Sequence, residues 1–571
     1  MPILPPPPPP PIVTPSPFIS EAPATPPPTL TPAPSPTATP SIVPSPGASP
    51  QPSGIAAPLA LGKTSVQLNA GASTAPIPIF GGVPPLRVTL SAPVADVRLD
   101  PERNTFVVRG LTNGNATLTI RDASGAAATA SVLVGPNAGF APNDVTIALT
   151  GNPTDDFAVA QIHAALLRVV QPLPGAALVP GSVQIPASLT PGDRIDAPLR
   201  FHVDGKNRYV DVDGIATVHI SVATPSPIPP TVLFYSDDPE ELTQDGVLFR
   251  GTLTRAQPVR LYYYHQTKVP NESVVIALDT QAGTSRVNVV GRGAGPNPAI
   301  MYVGQSATYR YLNDHARNAG VDLDVPVGAP LLIFTSDTAM KTGDLVAGAL
   351  DLTLTDDRPV RVSVLALSPD AQLATLMGSN EILSDGKQRR GSYDITGPFS
   401  LALAYQVGGP EPTPVTVGGG DPSIPNQRAG GRPLAGDYGI LRNVNLTLTN
   451  PTQAPAIVYL YEKPIGYPVT TTINFTGDAS PTRLQCAKQP QRYLVRSFNV
   501  PADGNATITG TYMTDGGSTY PLDFGLTTTL PSPLPVSMTA PDGCFPKPAA
   551  ASPFPSPSSA PGTMPAPTTS P

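Results

Sequence analysis

Two histidines stand where a pair of strands would carry them. Leu199, Phe201 and Val203 alternate around His202, and Val218, Ile220 and Val222 alternate around His219. A period of two sends both imidazoles to the polar faces of their strands. If the strands are neighbours, the imidazoles could share a metal ion with Asp204, Asp211 or Asp213, because histidine and carboxylate together suit a divalent ion such as zinc. The alternative is two solvated surface histidines. A second group is acidic: Asp237, Asp238, Glu240, Glu241 and Asp245, with Asp211 and Asp213 before Gly214, and Asp322 and Asp324 further on. Calcium takes six to eight oxygens, often from closely spaced carboxylates. It is the one cofactor these residues raise; otherwise none is expected. No segment fits an EF-hand. The residues 211–214 read as a strand end and turn, and Ser236 could instead cap a helix with an acidic first turn. A third group is Tyr262, Tyr263, Tyr264 and His265. On a strand Tyr262 and Tyr264 share a face, and an exposed pair could stack on a sugar or a peptide. Equally, one tyrosine face belongs to a core and the other to a cross-strand ladder.

Nucleophilic chemistry finds little support. A catalytic serine needs an adjacent base and an oxyanion hole, and there is no Gly-x-Ser-x-Gly elbow. Phosphate-loop, His-Glu-x-x-His and Cys-x-x-Cys patterns are absent too, and five histidines are a thin supply of general bases. No catalytic residue is expected. The two cysteines, Cys486 and Cys544, could form one disulfide in an oxidising compartment. It would close a loop of about 58 residues, for which chain entropy gives roughly 4 kcal/mol. The alternative is two unpaired thiols. Lys387, Arg389 and Arg390 are the densest basic spot, too small for nucleic acid and read as a protease-sensitive loop tip.

The elements that must position these groups are short and extended. Of 571 residues 79 are proline, far above the usual ~5 %. Helices would be broken every few turns, so a helical bundle is excluded. Glycine lacks the period of three that collagen needs. A net charge of −7 without a basic block excludes nucleic acid as a partner. No run is long and apolar enough for ~20 residues of bilayer core, so no transmembrane segment is expected. Residues 1–54 hold 22 prolines and one charge, Glu21, and residues 546–571 hold nine more prolines. Both read as disordered Pro-rich tails. Met1 is followed within a few residues by a proline run, with no basic n-region or apolar h-region of a secretory signal. The composition of this tract is nevertheless that of a stalk following an export signal.

Between the tails, alternation dominates. Ala116, Leu118 and Ile120 oppose Thr117, Thr119 and Arg121; a turn follows at 122–125, then Ala130, Val132 and Val134. The supporting residues are Gly81, Gly82, Val83, Pro84, Pro85, Leu86, Arg87 and Val88, then the run from Gly110 through Asn113, Gly114 and Asn115 to Ile120, then Asp122, Ala123, Ser124 and Gly125. On these residues the segment 59–135 resembles bacterial Ig-like repeats of the surface-protein type, which implies a β-sandwich and little about activity. Leu86 stands where such repeats often carry an aromatic. The blocks further along look similar to uncharacterised secreted bacterial β-sandwich proteins, helped by the turn at Asn450, Pro451 and Thr452.

Within 140–224, Thr154, Asp155 and Asp156 start a helix whose apolar positions are Ala158, Ile162, Ala165, Leu166 and Val169, stopped by Pro172 and Pro174. Strands are expected at 199–203, 209–212, 217–222, 260–265, 273–278, 350–354 and 360–365. The fold class expected is mainly β: several Ig-like or β-sandwich domains in tandem with one small α+β module. The boundaries are 55–136 for an Ig-like sandwich, 140–224 for the α+β module, 225–230 for a linker, 231–409 for a sandwich-like domain, 410–433 for a linker or long loop, and 434–545 for a final sandwich. The expected role is non-enzymatic: an exported or cell-surface bacterial protein, extracellular, surface or periplasmic, that is structural or adhesive. Its partners would be envelope components or an extracellular polymer. The alternatives are a polysaccharide- or peptide-binding accessory protein and a hydrolase using carboxylates.

Overall fold

In the strand Gly114–Arg121, Ala116, Leu118 and Ile120 are buried, while Asn115, Thr117 and Arg121 are exposed. One face wet and one dry is the arrangement a half-buried antiparallel strand requires. A computed structural model describes residues 57–533 apart from 336–337, 420–422, 435, 466–467 and 488–489. The Pro-rich segments 1–54 and 546–571, and Cys544, lie outside the described residues.

The chain is mainly β, built of stacked sheets. The first sandwich joins two four-stranded sheets. One runs Ala60–Leu61, Ile77–Phe80, Thr105–Gly110, Ala95–Asp100, and the other Ser65–Leu68, Ala127–Val134, Gly114–Arg121, Arg87–Leu90. Phe106, Val108, Leu118, Ile120 and Val132 fill the space between them. Ser65–Leu68 pairs in parallel with Ala127–Val134, so the module's early and late strands lie side by side.

The separate modules expected at 140–224 and 231–409 share one twelve-stranded sheet. Its path is Ala177–Pro180, Arg194–Asp204, Val212–Ala223, Asp144–Thr150, Gly320–Val325, Ser285–Val290, Leu345–Leu354, Val259–Thr267, Val232–Ser236, Arg390–Asp394, and off this path Glu241–Leu242 pairs with Val259–Thr267 and Gly293–Asn297 with Leu345–Leu354. The proline-rich stretch 225–230 therefore crosses from one part of a sheet to another. The joint is the pairing of Asp144–Thr150 with Gly320–Val325, and one apolar core runs from Ala138 to Ala366. A four-stranded sheet of Gly246–Leu253, Val360–Leu367, Ser273–Asp279 and Leu331–Phe334 joins the same core. The strand expected at 209–212 reduces to an isolated bridge at Val210, because the long strand starts only at Val212.

Helix α1 (Asp155–Val170) lies where its spacing put it, with Ala158, Ile162, Ala165 and Leu166 buried. The buried last-turn residue is Val170, while Val169 faces out. The Thr154 hydroxyl bonds the Asp156 carboxylate and makes no bond to the helix backbone. Helix α2 (Ile300–Ala316) has no counterpart in the sequence reading. It packs between the long sheet and the C-terminal sandwich. Gly304 meets the Gly516 carbonyl so closely that a Cβ would overlap it. Gly304→Ala is expected to lift α2 from the sandwich at a cost of about 1–3 kcal/mol, read as a lower thermal midpoint.

The C-terminal sandwich starts before residue 409. Ser400–Gln406 pairs in parallel with Arg442–Asn450, and that sheet continues through Gly504–Thr514, Val469–Phe475 and Thr482–Ala487. The facing sheet is Val415–Val417, Leu522–Thr527, Ala456–Pro464 and Tyr493–Val500. The stretch 410–433 thus contributes a strand and is not simply a loop. Asn450 closes the expected turn: its amide donates to the carbonyls of Ala454, Val500 and Pro501, and its oxygen accepts from Thr452.

Candidate functional site

The sheet register separates the two histidines. His202 lies opposite Asp213 and His219 opposite Asp196, six residues along an antiparallel pair, or about 20 Å. They cannot share an ion. His202 Nδ1 lies 2.9 Å from Asp213. His219 lies 2.7 Å from Asp196 and 3.1 Å from Asp144, and those two hydrogen bonds raise its pKa. Asp211 accepts from the Gly205 N–H and from Gln67, whose own amide oxygen accepts from the Asp211 N–H. This ties the first sandwich to the long sheet. Among the described residues no group of three or more His, Cys, Asp or Glu is placed to hold a metal. Cys486 lies in Thr482–Ala487.

The acidic residues disperse as well. Asp245 accepts from the N–H and hydroxyl of Ser368, Asp238 accepts from Ser384 and the Asp385 N–H, and Glu241 pairs with Lys268. Asp322 accepts from Asn288, and Asp324 pairs with Arg286. Ser236 ends a strand and caps no helix. Its hydroxyl lies 2.9 Å from His265 Nε2, while His265 Nδ1 lies 2.8 Å from the Pro239 carbonyl. A carbonyl only accepts, so Nδ1 carries the proton and Nε2 accepts from Ser236. Burial lowers this imidazole to about 4. The pair has the geometry of a nucleophile and its base, but neither side chain has any exposed surface, so it braces the turn that follows. Arg390 also differs from its expected place at a loop tip. It lies at the start of Arg390–Asp394 and donates to the carbonyls of Asp238, Leu248 and Leu383.

What the fold brings together is the turn after Val232–Ser236 and the tyrosines of Val259–Thr267. These two strands are parallel neighbours, with Tyr235 opposite Tyr262. Tyr262 and Tyr264 are buried and do not form an open platform, yet both line a cleft of about 330 Å³. Asp237 and Glu240 stand at its acidic side, Gln388 and Arg389 approach from the next turn, and Tyr438, Ser518 and Thr519 close it from the C-terminal part. The rings of Tyr235 and Tyr262 stack at 5.1 Å, and Tyr438 continues the column at 6.3 Å.

Asp237 is 8 % exposed, and its Oδ1 has no hydrogen-bond partner. Burial, reinforced by the neighbouring charges of Glu240 and Asp238, pushes its pKa well above the carboxylate range, against the pull of Arg389. Burial raises Glu240 too, although Gln388 donates to it. The phenols of Tyr235 and Tyr262 are lifted by burial and stay neutral donors. The cleft therefore offers a buried acid with a free oxygen, aromatic hydroxyls and a guanidinium. The tyrosines and the acidic run were both visible in the sequence; Tyr235, Tyr438, Gln388 and Thr519 were not, since no local pattern joins residues so far apart. A larger open groove, about 740 Å³, lies between the end of α2 and the C-terminal sandwich. Its carboxylate, Asp478, is already engaged by Arg496.

No protein-family model matches this chain, and no curated protein matches it. Among solved structures, the human desmocollin-1 ectodomain is 10 % identical with a TM-score of 0.12; the match covers 34 % of this chain and 45 % of that one. A SusE-like surface located polysaccharide binding protein of Bacteroides thetaiotaomicron is 10 % identical with a TM-score of 0.11, covering 52 % and 60 %. Tripeptidyl peptidase 2 is 11 % identical with a TM-score of 0.14, covering 78 % and 34 %. Scores this low carry no argument about this chain. No helix among the described residues is long and apolar enough to cross a membrane.

Proposed function

We propose that the chain is an exported, non-enzymatic protein of the bacterial surface whose sandwiches, the first of the surface-repeat type, present a saccharide-binding cleft at Tyr262, Tyr264 and Asp237. The observation that carries this reading is the convergence of tyrosines, two carboxyls, an amide and a guanidinium on one cleft, with Asp237 Oδ1 unpartnered. Vicinal hydroxyls of a sugar both donate and accept, and a mixed lining of this kind satisfies both roles while a phenol ring covers the apolar face. The test is titration of the full chain with a panel of neutral and acidic oligosaccharides. Binding is expected for at least one. Asp237→Ala should weaken it about tenfold, the loss of a buried hydrogen bond to a charged or polar partner. A chain that binds no saccharide in the panel overturns the reading.

A second reading, a hydrolase using carboxylates, draws on the raised pKa of both Asp237 and Glu240, because a general acid must hold its proton near neutral pH. Asp237→Asn separates the two readings. A binding site keeps most of its affinity with the amide, whereas turnover would be abolished.

A further inference from the structure

The groove between the end of α2 and the C-terminal sandwich, about 740 Å³, is walled largely by amides and hydroxyls. The sheet register explains the grouping. Asn443 of Arg442–Asn450 lies opposite Thr511 of Gly504–Thr514, and Thr511 lies opposite Asn474 of Val469–Phe475. Asn445 and Thr509 repeat the pairing two residues further along. Paired residues share a face, so these side chains recur about every 4.8 Å across the strands and about every 7 Å along them.

Asn474 sets this row apart from an ordinary wetted surface. It is 9 % exposed and lines the groove, and its amide has no hydrogen-bond partner among the described residues. A buried amide normally finds one. Asn443 and Asn445 are exposed, and their amides are equally unpartnered among the described residues.

Charge plays little part in the lining. Asp478 is held by Arg496, and His315 lies beside Asp351. Arg317 donates from Nε to the Asn313 side-chain oxygen and from Nη2 to the Ala479 carbonyl. Beyond the groove, the exposed positions of Ser400–Gln406, Arg442–Asn450 and Gly504–Thr514 hold serine, alanine, glutamine, asparagine and threonine, without one charged side chain. Solvated surfaces ordinarily mix in about a quarter or more of charged residues, so this face suits a ligand that brings no charge of its own. An amide offers a donor and an acceptor side by side, as neighbouring hydroxyls of a sugar ring do. An extended peptide would seek a strand edge for its main chain, whereas this groove opens on the face of a sheet.

We infer that this groove, with the uncharged face beyond it, binds a neutral polysaccharide through Asn474, Asn443 and Asn445. The inference rests on the saccharide-binding reading for the class of ligand, but the groove shares no residue with the tyrosine cleft.

The test is calorimetric titration of the full chain, and of its Asp237→Ala variant, with cellohexaose, xylohexaose, mannohexaose and chitohexaose. At least one is expected to bind at a site that survives Asp237→Ala, with an affinity unchanged between about 0.05 and 0.5 M salt. Asn474→Ala should weaken that binding about tenfold. The exposed double variant Asn443→Ala with Asn445→Ala should do the same, and it carries the test if Asn474→Ala fails to fold. No binding of any of the four, binding untouched by the asparagine variants, an affinity that falls steeply with salt, or equal binding of the uncharged peptide acetyl-(Ser-Gly)3-amide would overturn the inference. The two sites fail separately. Binding lost in Asp237→Ala but kept in the asparagine variants overturns the groove and sustains the cleft; the reverse sustains the groove and overturns the cleft.

Discussion

Replacement of Asp351 by alanine is expected to cost about 3–5 kcal/mol, the range for stranding one member of a buried ion pair. Arg260 and Asp351 face each other across the Val259–Thr267 and Leu345–Leu354 strands. They meet through two bonds of 2.7 and 3.1 Å, and both side chains are almost wholly buried. Tyr311 of α2 donates to the same carboxylate at 3.0 Å, and His315 lies 3.4 Å away. The guanidinium also sits over the Tyr311 ring and reaches the Gly439 carbonyl. One charged pair therefore fastens two strands, a helix and the loop bearing Tyr438. Burial alone would raise Asp351, but the Arg260 charge and the bonds from His315 and Arg260 hold it well below the carboxylate range. Its contribution is thus present above the ordinary carboxylate pKa of ~4 and lost only as pH falls through the lower native value. Urea denaturation at neutral pH measures the effect. The double variant Arg260→Met with Asp351→Leu should recover most of the loss, because no buried charge is then left alone. A single variant as stable as wild type would show that water reaches this pair.

Glu462 gives the opposite dependence. It has no exposed surface, and neither carboxyl oxygen has a hydrogen-bond partner. Burial, with the neighbouring Asp515, raises it from 4.5 to about 8. The native state then holds a proton that the unfolded chain has released, so stability is fully present below about 4.5 and falls as pH rises toward 8. The linkage is on the order of 5 kcal/mol. Asp314 and Glu272, each raised by burial to about 7, and Asp515, raised to about 6, act in the same direction. Thermal midpoints of the wild type should therefore drop between pH 5 and 9. Glu462→Gln, which cannot ionise, should remove the largest single part of that slope. An unchanged slope would mean that Glu462 is already ionised at neutral pH.

The layered architecture could be read from residues because each strand carries its own instruction: alternate side chains decide which face is dry. Helix α1 was equally plain, since Asp155 and Asp156 begin it and Pro172 ends it. Helix α2 was hidden. It begins after Ala299 without a side-chain cap, and Val303, Gly304 and Thr308 are weak helix formers chosen for what they touch. Thr308 and Gln305 bond backbone carbonyls of the C-terminal sandwich, and Gly304 admits Gly516. Such tertiary demands override propensity and leave no local mark. Residues 225–230 look like a linker because proline and serine dominate them, but composition cannot reveal which strands pair on either side. The histidines show the same limit: their faces were legible, whereas the register that sets His202 against Asp213 was not.

The parallel pairing of Ser65–Leu68 with Ala127–Val134 has a mechanical consequence. Tension applied to the two ends of this module runs along both strands in opposite senses. Their rungs are then loaded together in shear, and none can be peeled away ahead of the others. A module spliced this way should hold under traction until the whole seam fails at once.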